Sequence, residues 1–144
     1  MRTVFQIACF GICILFGTQS LATSESAKEL ARFTAQQIAR QSNFTVRDQF
    51  YWGYLKRGES NVTRLTLYAG NQYVLVAGGC EDATDVDVAV YNSSGERIAK
   101  DNSTARIGIV KISVHETGTY YVKVTMYRNK NGRGAHWSLV IAYK

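Results

Sequence analysis

The chain has 144 residues, enough for one domain, and its 17 Lys and Arg outnumber its 11 Asp and Glu for a formal net charge of +6. The basic residues are scattered, and the only compact group of three in the sequence is Arg128, Lys130 and Arg133. A nucleic-acid partner would need a basic stripe or patch interleaved with aromatic residues, so composition and charge argue against nucleic-acid binding.

The first 22 residues have the pattern of a secretory signal peptide. Arg2 supplies a positive charge, Val4–Phe16 is apolar apart from one Gln, and Ser20 and Ala22 supply small residues for a signal peptidase. We expect cleavage after Ala22, a periplasmic or secreted product, and no stable membrane span afterwards. An uncleaved anchor is the alternative, although the run is shorter than the roughly 20 apolar residues of a membrane helix.

Cys80 is the only cysteine that remains once the predicted signal peptide, with Cys9 and Cys13, is removed. It therefore has no partner for an internal disulfide. One interpretation is a reactive thiol or an intermolecular bridge. We favour a small apolar side chain at the junction of a loop and a strand, because no nearby His or Lys lowers its pKa.

A helix is predicted over Thr23–Gln41, within an N-terminal segment of residues 23–43. Ser26 and Glu29 have the spacing of a capping box. The apolar stripe, at helical spacing, consists of Ala27, Leu30, Ala31, Thr34 and Ile38, widened by Phe33. We expect this thin stripe to cover the helix's own domain, with a partner-binding helix as the alternative.

From residue 44 onward, apolar and polar residues alternate in short runs separated by turn residues. The predicted strands are Phe50–Leu55, Asn61–Tyr68, Gln72–Ala77, Val86–Tyr91, Glu96–Lys100, Arg106–Val114, Thr119–Tyr127 and Ala135–Tyr143. About eight strands with no helix between them are typical of an antiparallel sandwich or barrel over residues 44–144. Val88 and Val122 are expected in the core, and Lys111 and Lys123 are expected to protect sheet edges.

The stretch Gly78–Tyr91 is an acidic loop that runs into a strand. Its valines alternate with Asp85 and Asp87, so valines and aspartates are predicted on opposite faces. Calcium prefers several oxygen ligands close together, and the candidate ligands are Asp82, Asp85, Asp87 and, from a neighbouring strand, Asp101. The alternative is that Asp85 and Asp87 cap backbone amides where the strand begins.

Exposed aromatic residues suggest a binding surface, whereas a catalytic set is not evident. The candidate surface for sugar rings or peptide consists of Tyr51, Trp52, Tyr121 and Trp137, and the alternative is that these side chains fill the core. His115 and His136 have neither the spacing of a metal pair nor a nucleophile motif beside them. We therefore predict a protein that is not an enzyme.

Several segments resemble the bacterial pre-peptidase C-terminal domain in their order and separation. They are Ala69–Tyr73, Asp85–Tyr91 followed by Gly95, Asp101, and Thr117–Val124, within residues 50–144. The resemblance implies a jelly-roll-like β-sandwich of the kind appended to secreted peptidases, where it serves secretion or binding of an insoluble substrate. No peptidase domain accompanies it in this sequence.

These observations together predict an exported, non-catalytic binding or accessory module whose partner is a protein or a polysaccharide. A small structural or envelope-stress protein of the periplasm is the alternative, and a small hydrolase is a third interpretation. Neither the ligand nor the oligomeric state follows from the sequence.

Overall fold

The computed structural model describes residues 22–144, so the predicted signal peptide lies outside the described residues except for Ala22. The elements in chain order are α1 Ser24–Ser42, β1 Thr45–Val46, β2 Tyr51–Leu55, β3 Ser60–Leu67, β4 Gln72–Gly79, β5 Ala83–Tyr91, β6 Arg97–Lys100, β7 Ile107–Ser113, β8 Gly118–Asn129 and β9 Ala135–Tyr143. In this part of the chain, no helix has both the length and the apolar character needed to cross a membrane.

The strands form two antiparallel sheets that face each other. In the five-stranded sheet, β1 and β2 both pair with β9, which pairs with β4, and β4 pairs with β7. The four-stranded sheet has the order β3-β8-β5-β6. This arrangement confirms the prediction of an all-β sandwich with one N-terminal helix. All eight predicted strands are present, and the short β1 is an addition that the sequence analysis missed.

The main core lies between the sheets and is filled by the inward side chains of alternating strands. Val88 on β5 and Val122 on β8 are both fully buried, as predicted. Each such side chain contributes about 1.5–3 kcal/mol by leaving water. Cys80 belongs to the same core at 1% exposure, which confirms the interpretation as a small apolar side chain.

Helix α1 packs on the outer face of the five-stranded sheet and forms a second, smaller core there. Its fully buried residues are Ala27, Ala31 and Ala35, which recur every four residues on one side of the helix. The second core consists of Ala31, Ala35, Phe44, Val74, Val76, Val140 and Ala142. Close contact is possible because Gly78 has no side chain: a Cβ atom there would lie 3.0 Å from the backbone nitrogen of Ala31.

The ends of α1 differ slightly from the prediction. The capping box consists of Thr23 and Ser26 rather than Ser26 and Glu29, and the Ser26 backbone N–H donates to Thr23 Oγ1 at 3.3 Å. Asn43 ends the helix in the left-handed conformation (φ 56°), which Asn adopts more readily than most residues. Phe33 does not widen the buried stripe, because 61% of it is exposed.

Candidate functional site

The outer face of the four-stranded sheet carries cations and tyrosines, and alternation along the strands explains why. On β8, the buried residues Val122 and Val124 alternate with the outward residues Tyr121, Lys123 and Thr125. Residues directly opposite each other on paired strands share a face. The strand register therefore shows which side chains of β3, β5 and β6 accompany these three.

The register places the outward side chains in three rows across the sheet. The first row is Arg64, Tyr121, Tyr91 and Arg97; the second is Val62, Lys123, Ala89 and Lys100; and the third is Ser60, Thr125 and Asp87. Successive rows are about 7 Å apart because side chains on one face recur every second residue. We call this surface, together with the exposed Tyr127, the cation–tyrosine face.

An open concavity of about 200 Å³ lies in the middle of the cation–tyrosine face. It is lined by Asp87, Ala89, Tyr91, Arg97, Lys100, Lys123, Thr125 and Tyr127. Ala89 stands between Lys123 on β8 and Lys100 on β6 in the register. Because its side chain is a single methyl group, the longer neighbours leave a recess above it.

The electrostatics of this face are dominated by positive charge. Four cationic side chains share the three rows with one carboxylate, that of Asp87, which lies 3.6 Å from Lys100 Nζ. Within residues 22–144, Arg97 and Lys123 make no salt bridge, and Arg64 donates only a long hydrogen bond to Thr119, at 3.5 Å. The face thus offers cations to an external anion.

The predicted binding surface does not assemble. Trp137 is only 2% exposed and packs between the sheets, so its place in that surface was wrong. Tyr51 packs against the same core, whereas Trp52 is 55% exposed on the other sheet, with Lys28 Nζ 4.3 Å from its ring centroid. Only Tyr121 of the four predicted residues lies on the cation–tyrosine face. The other three occupy a different sheet, on β2 and β9.

The predicted metal ligands are close in sequence but differ in their surroundings. Asp82 Oδ2 accepts a hydrogen bond from Asn131, Asp87 faces Lys100, and Asp101 Oδ2 accepts from Ser103. Among the described residues, no three His, Cys, Asp or Glu side chains are arranged to hold a metal ion. The geometry therefore gives calcium no support, and the calcium site stays a prediction.

Asp85 departs from the predicted alternation. The pairing of β5 with β8 is irregular on both sides of this residue, and Asp85 is 3% exposed instead of facing solvent with Asp87. One of its carboxylate oxygens is buried without a hydrogen-bond partner. Burial raises the pKa of the Asp85 carboxyl above its ordinary value; Asp87 and Asp101 also raise it, while Arg128 and Lys100 lower it.

The structure does not show the alternative role for the two aspartates, which was capping of backbone amides. Within residues 22–144, neither Asp85 nor Asp87 accepts a hydrogen bond from a backbone N–H. The carboxylate that does so in this region is Asp101, which accepts from the Ser103 amide at 3.3 Å. The three carboxylates therefore have different surroundings. Asp85 is buried, Asp87 forms a salt bridge with Lys100, and Asp101 accepts a hydrogen bond within a turn.

The residues examined for catalysis lie in separate surroundings. His115 is exposed in the turn between β7 and β8, whereas His136 on β9 makes an edge-on contact with Tyr54 at 5.1 Å between ring centroids. The Cys80 sulfur is buried in the core. Among residues 22–144, neither histidine side chain forms a hydrogen bond with the Cys80 thiol.

The grouping of the cations on the cation–tyrosine face was not predicted from the sequence. The sequence suggested scattered charges for Arg64, Arg97 and Lys100 and an edge guard for Lys123, but Lys123 lies on β8, an interior strand. Their alternation with apolar residues was visible in each strand. Their grouping depends on the register between strands that are far apart in sequence, which single-strand periodicity does not give.

Comparisons with known proteins identify a similar fold. No family model and no curated protein matches the chain. The solved structure of PliG from Aeromonas hydrophila, a periplasmic inhibitor of g-type lysozyme, has a TM-score of 0.52 and 14% identity over 67% of this chain and 85% of that chain. At this identity the likeness establishes the fold alone.

A pre-peptidase C-terminal domain is also among the similar structures. That domain, from the collagenase of Bacillus anthracis, has a TM-score of 0.49 and 14% identity over 65% of this chain and 87% of its own.

Proposed function

We propose that this chain is an exported, non-catalytic binding module that holds its partner against the cation–tyrosine face. The observation that carries the proposal is the difference in cover between the two sheets: α1 occupies the outer face of one, and none of the described elements packs on the outer face of the other. Arginine and tyrosine are enriched where proteins bind partners.

Three further observations support a binding role over the alternatives. The only described cysteine is buried, and the described histidines are not joined to a nucleophile. The signal-like sequence at the N-terminus supports export. PliG, which has a similar fold, is by its description a periplasmic inhibitor of another protein, so this sandwich is compatible with binding in that compartment.

Site-specific photocrosslinking in the native host tests the proposal. A benzophenone amino acid replaces Tyr121 or Tyr127 on the cation–tyrosine face and, as the matched control, the exposed Phe33 on α1. We expect adducts of defined mass from positions 121 and 127 and none from position 33. Adducts from all three positions, or from none, would contradict binding through this face, and their complete absence would favour a structural or envelope-stress protein.

Export is tested separately by the intact mass of protein recovered from the periplasm or medium. We expect a mature chain that begins at Thr23. Retention of residues 1–22 in the membrane fraction would show an uncleaved anchor and would contradict this part of the proposal.

A further inference from the structure

The size of the concavity indicates what kind of group occupies it. Pockets for small-molecule ligands commonly measure about 300–1,000 Å³, whereas this one is open and has about 200 Å³. It is therefore suited to a single side chain or a similar small group that belongs to a larger partner. The recess above Ala89 is where such a group would enter.

The charges around the recess select an anionic group. Lys123 and Lys100 flank Ala89 in one row, and Arg97 lies beside Lys100 in the next row. Across three antiparallel strands the two lysines start about 10 Å apart, a span that their flexible side chains close around a carboxylate. Asp87 neutralises only part of this charge, because it pairs with Lys100 alone.

The surface around the recess favours a protein over a sugar polymer. Tyr121 and Tyr91 stand side by side in one row with Arg64 and Arg97 at its two ends. Both tyrosines are half-buried, so they do not present free ring faces on which sugars stack. Half-buried tyrosines beside arginines instead resemble the anchors of protein interfaces.

The dimensions of the face indicate a weak complex. Thr119 to Tyr127 on β8 spans about 27 Å, and the four strands add a width of about 14 Å between the outer strand axes. The resulting area, about 400 Å², is below the roughly 800 Å² per partner of a standard interface. Such an interface depends on charge for steering and specificity, and its affinity falls as salt screens that charge.

We infer that the partner is a protein with an acidic surface, and that one of its Asp or Glu carboxylates enters the recess above Ala89 between Lys123, Lys100 and Arg97. This inference rests on the proposed function, because it names the class of partner that the cation–tyrosine face binds. The complex forms quickly, dissociates quickly and weakens with salt.

Binding of labelled poly-L-glutamate, followed by fluorescence anisotropy at low salt, tests the inference. The double variant Lys123→Glu/Arg97→Glu removes two cations of the recess, and Lys130→Glu/Arg133→Glu makes the same change in net charge on the exposed β8–β9 loop. We expect the first to weaken binding on the order of 10–100-fold and the second less than about threefold, because close charge pairs outweigh the distant field.

A third variant, Ala89→Leu, fills the recess and leaves every charge in place. We expect it to weaken binding of poly-L-glutamate on the order of tenfold. Ala89 is only 7% exposed, but it lies on the outer face between Lys123 and Lys100, so the larger side chain enters the recess and the protein should still melt near the wild-type temperature. Wild-type affinity in Ala89→Leu would overturn the recess as the carboxylate site. Equal losses in the two double variants would overturn the face as the source of binding.

Two other probes distinguish the sources of negative charge. Polygalacturonate carries carboxylates on a polysaccharide, and vesicles of phosphatidylglycerol carry phosphates on a membrane. If either binds as tightly as poly-L-glutamate and responds to the same variants, the acidic-protein inference is overturned. If wild type binds none of the three while positions 121 and 127 still crosslink a partner, the inference fails and the proposed function stands.

Discussion

The two outer faces of the sandwich differ although the same alternation produces both. On the five-stranded sheet the outward residues include Val74, Val76 and Val140, and α1 covers them. On the four-stranded sheet the corresponding positions of β8 hold Lys123 and Thr125, and no described element covers them. Outward positions are free of the requirements of the main core, so their composition reports what each face contacts: an alanine-rich helix on one side, and water or a partner on the other.

The largest expected effect is the loss of stability when a charge is placed on the buried face of the four-stranded sheet, compared with the same charge on its exposed face. Val88→Asp places a charge at a fully buried position, and we expect it to lower the free energy of unfolding by about 3–5 kcal/mol. Val62→Asp makes the same chemical change at a position on the cation–tyrosine face that is 56% exposed, and should cost less than about 0.5 kcal/mol.

Urea denaturation of both variants measures this difference. Similar losses of stability in the two proteins would mean that the outer face is covered in solution, and would remove the contrast between the faces. A loss below about 1 kcal/mol in Val88→Asp would contradict the assignment of β5 to the core.

The second effect concerns the covered face. Ala31→Leu inserts a larger side chain between α1 and the sheet, where Ala31 is fully buried, and we expect a loss of about 1–3 kcal/mol from overpacking. Glu29→Leu introduces the same residue on the exposed side of the helix and should change stability by less than about 0.5 kcal/mol.

Thermal melts followed by circular dichroism distinguish the two helix variants. If Ala31→Leu and Glu29→Leu have the same melting temperature, the helix is not held against the sheet, and the second core of alanines and valines does not form as described.

The contrast between the faces was only partly predictable from the sequence. Period-two alternation identified the strands and placed Val88 and Val122 inside, because one buried face imposes that pattern. The aromatic content, and not the alternation, suggested Trp137 as a surface residue, whereas its side chain fills the core between the sheets, as the alternative interpretation had it. The sheet that each strand joins depends on contacts far apart in sequence, so the grouping of Arg97 with Lys123 was not predictable from the alternation within one strand.

Asp85 shows a different limit of sequence interpretation. The alternation through Val86 and Val88 predicted an outward carboxylate, but the irregular pairing of β5 buries it. The register shifts by one residue at Asp85 and returns at Val86, and no residue type in this stretch identifies the irregularity.

The third prediction tests the buried carboxyl group of Asp85. The pKa of Asp85 is raised in the folded protein, so its ionised form is less favourable there than in the unfolded chain. Asp85→Asn removes the charge, and we expect a gain in stability on the order of 1 kcal/mol at neutral pH, since a neutral amide is less costly to bury than an unpaired carboxylate.

The gain in stability from Asp85→Asn should depend on pH. Below the unfolded-state pKa the carboxyl is protonated in both states and the cost is absent; as pH rises through the raised folded pKa, wild type loses stability and the variant does not. The gain from Asp85→Asn should therefore be present at pH 7 and shrink as the pH approaches the ordinary carboxyl range. An unchanged gain at acidic pH, or a loss at neutral pH, would contradict a folded-state pKa of Asp85 that burial raises.

The smallest expected effect is that of calcium on the melting temperature. This measurement distinguishes a metal site from a set of separate acidic groups near the cation–tyrosine face. Asp87 is engaged by Lys100, Asp101 by Ser103 and Asp82 by Asn131, so binding an ion would require these contacts to be exchanged. We therefore expect wild type to melt within about a degree in calcium and in chelator. Binding of calcium to the folded state would instead add about 2.7 kcal/mol at a hundredfold excess over its Kd, a shift of several degrees. Asp87→Asn serves as the matched variant. A large calcium shift in wild type that disappears in Asp87→Asn would establish Asp87 as a ligand, and would also mean that calcium frees Lys100 to join the cations of the face.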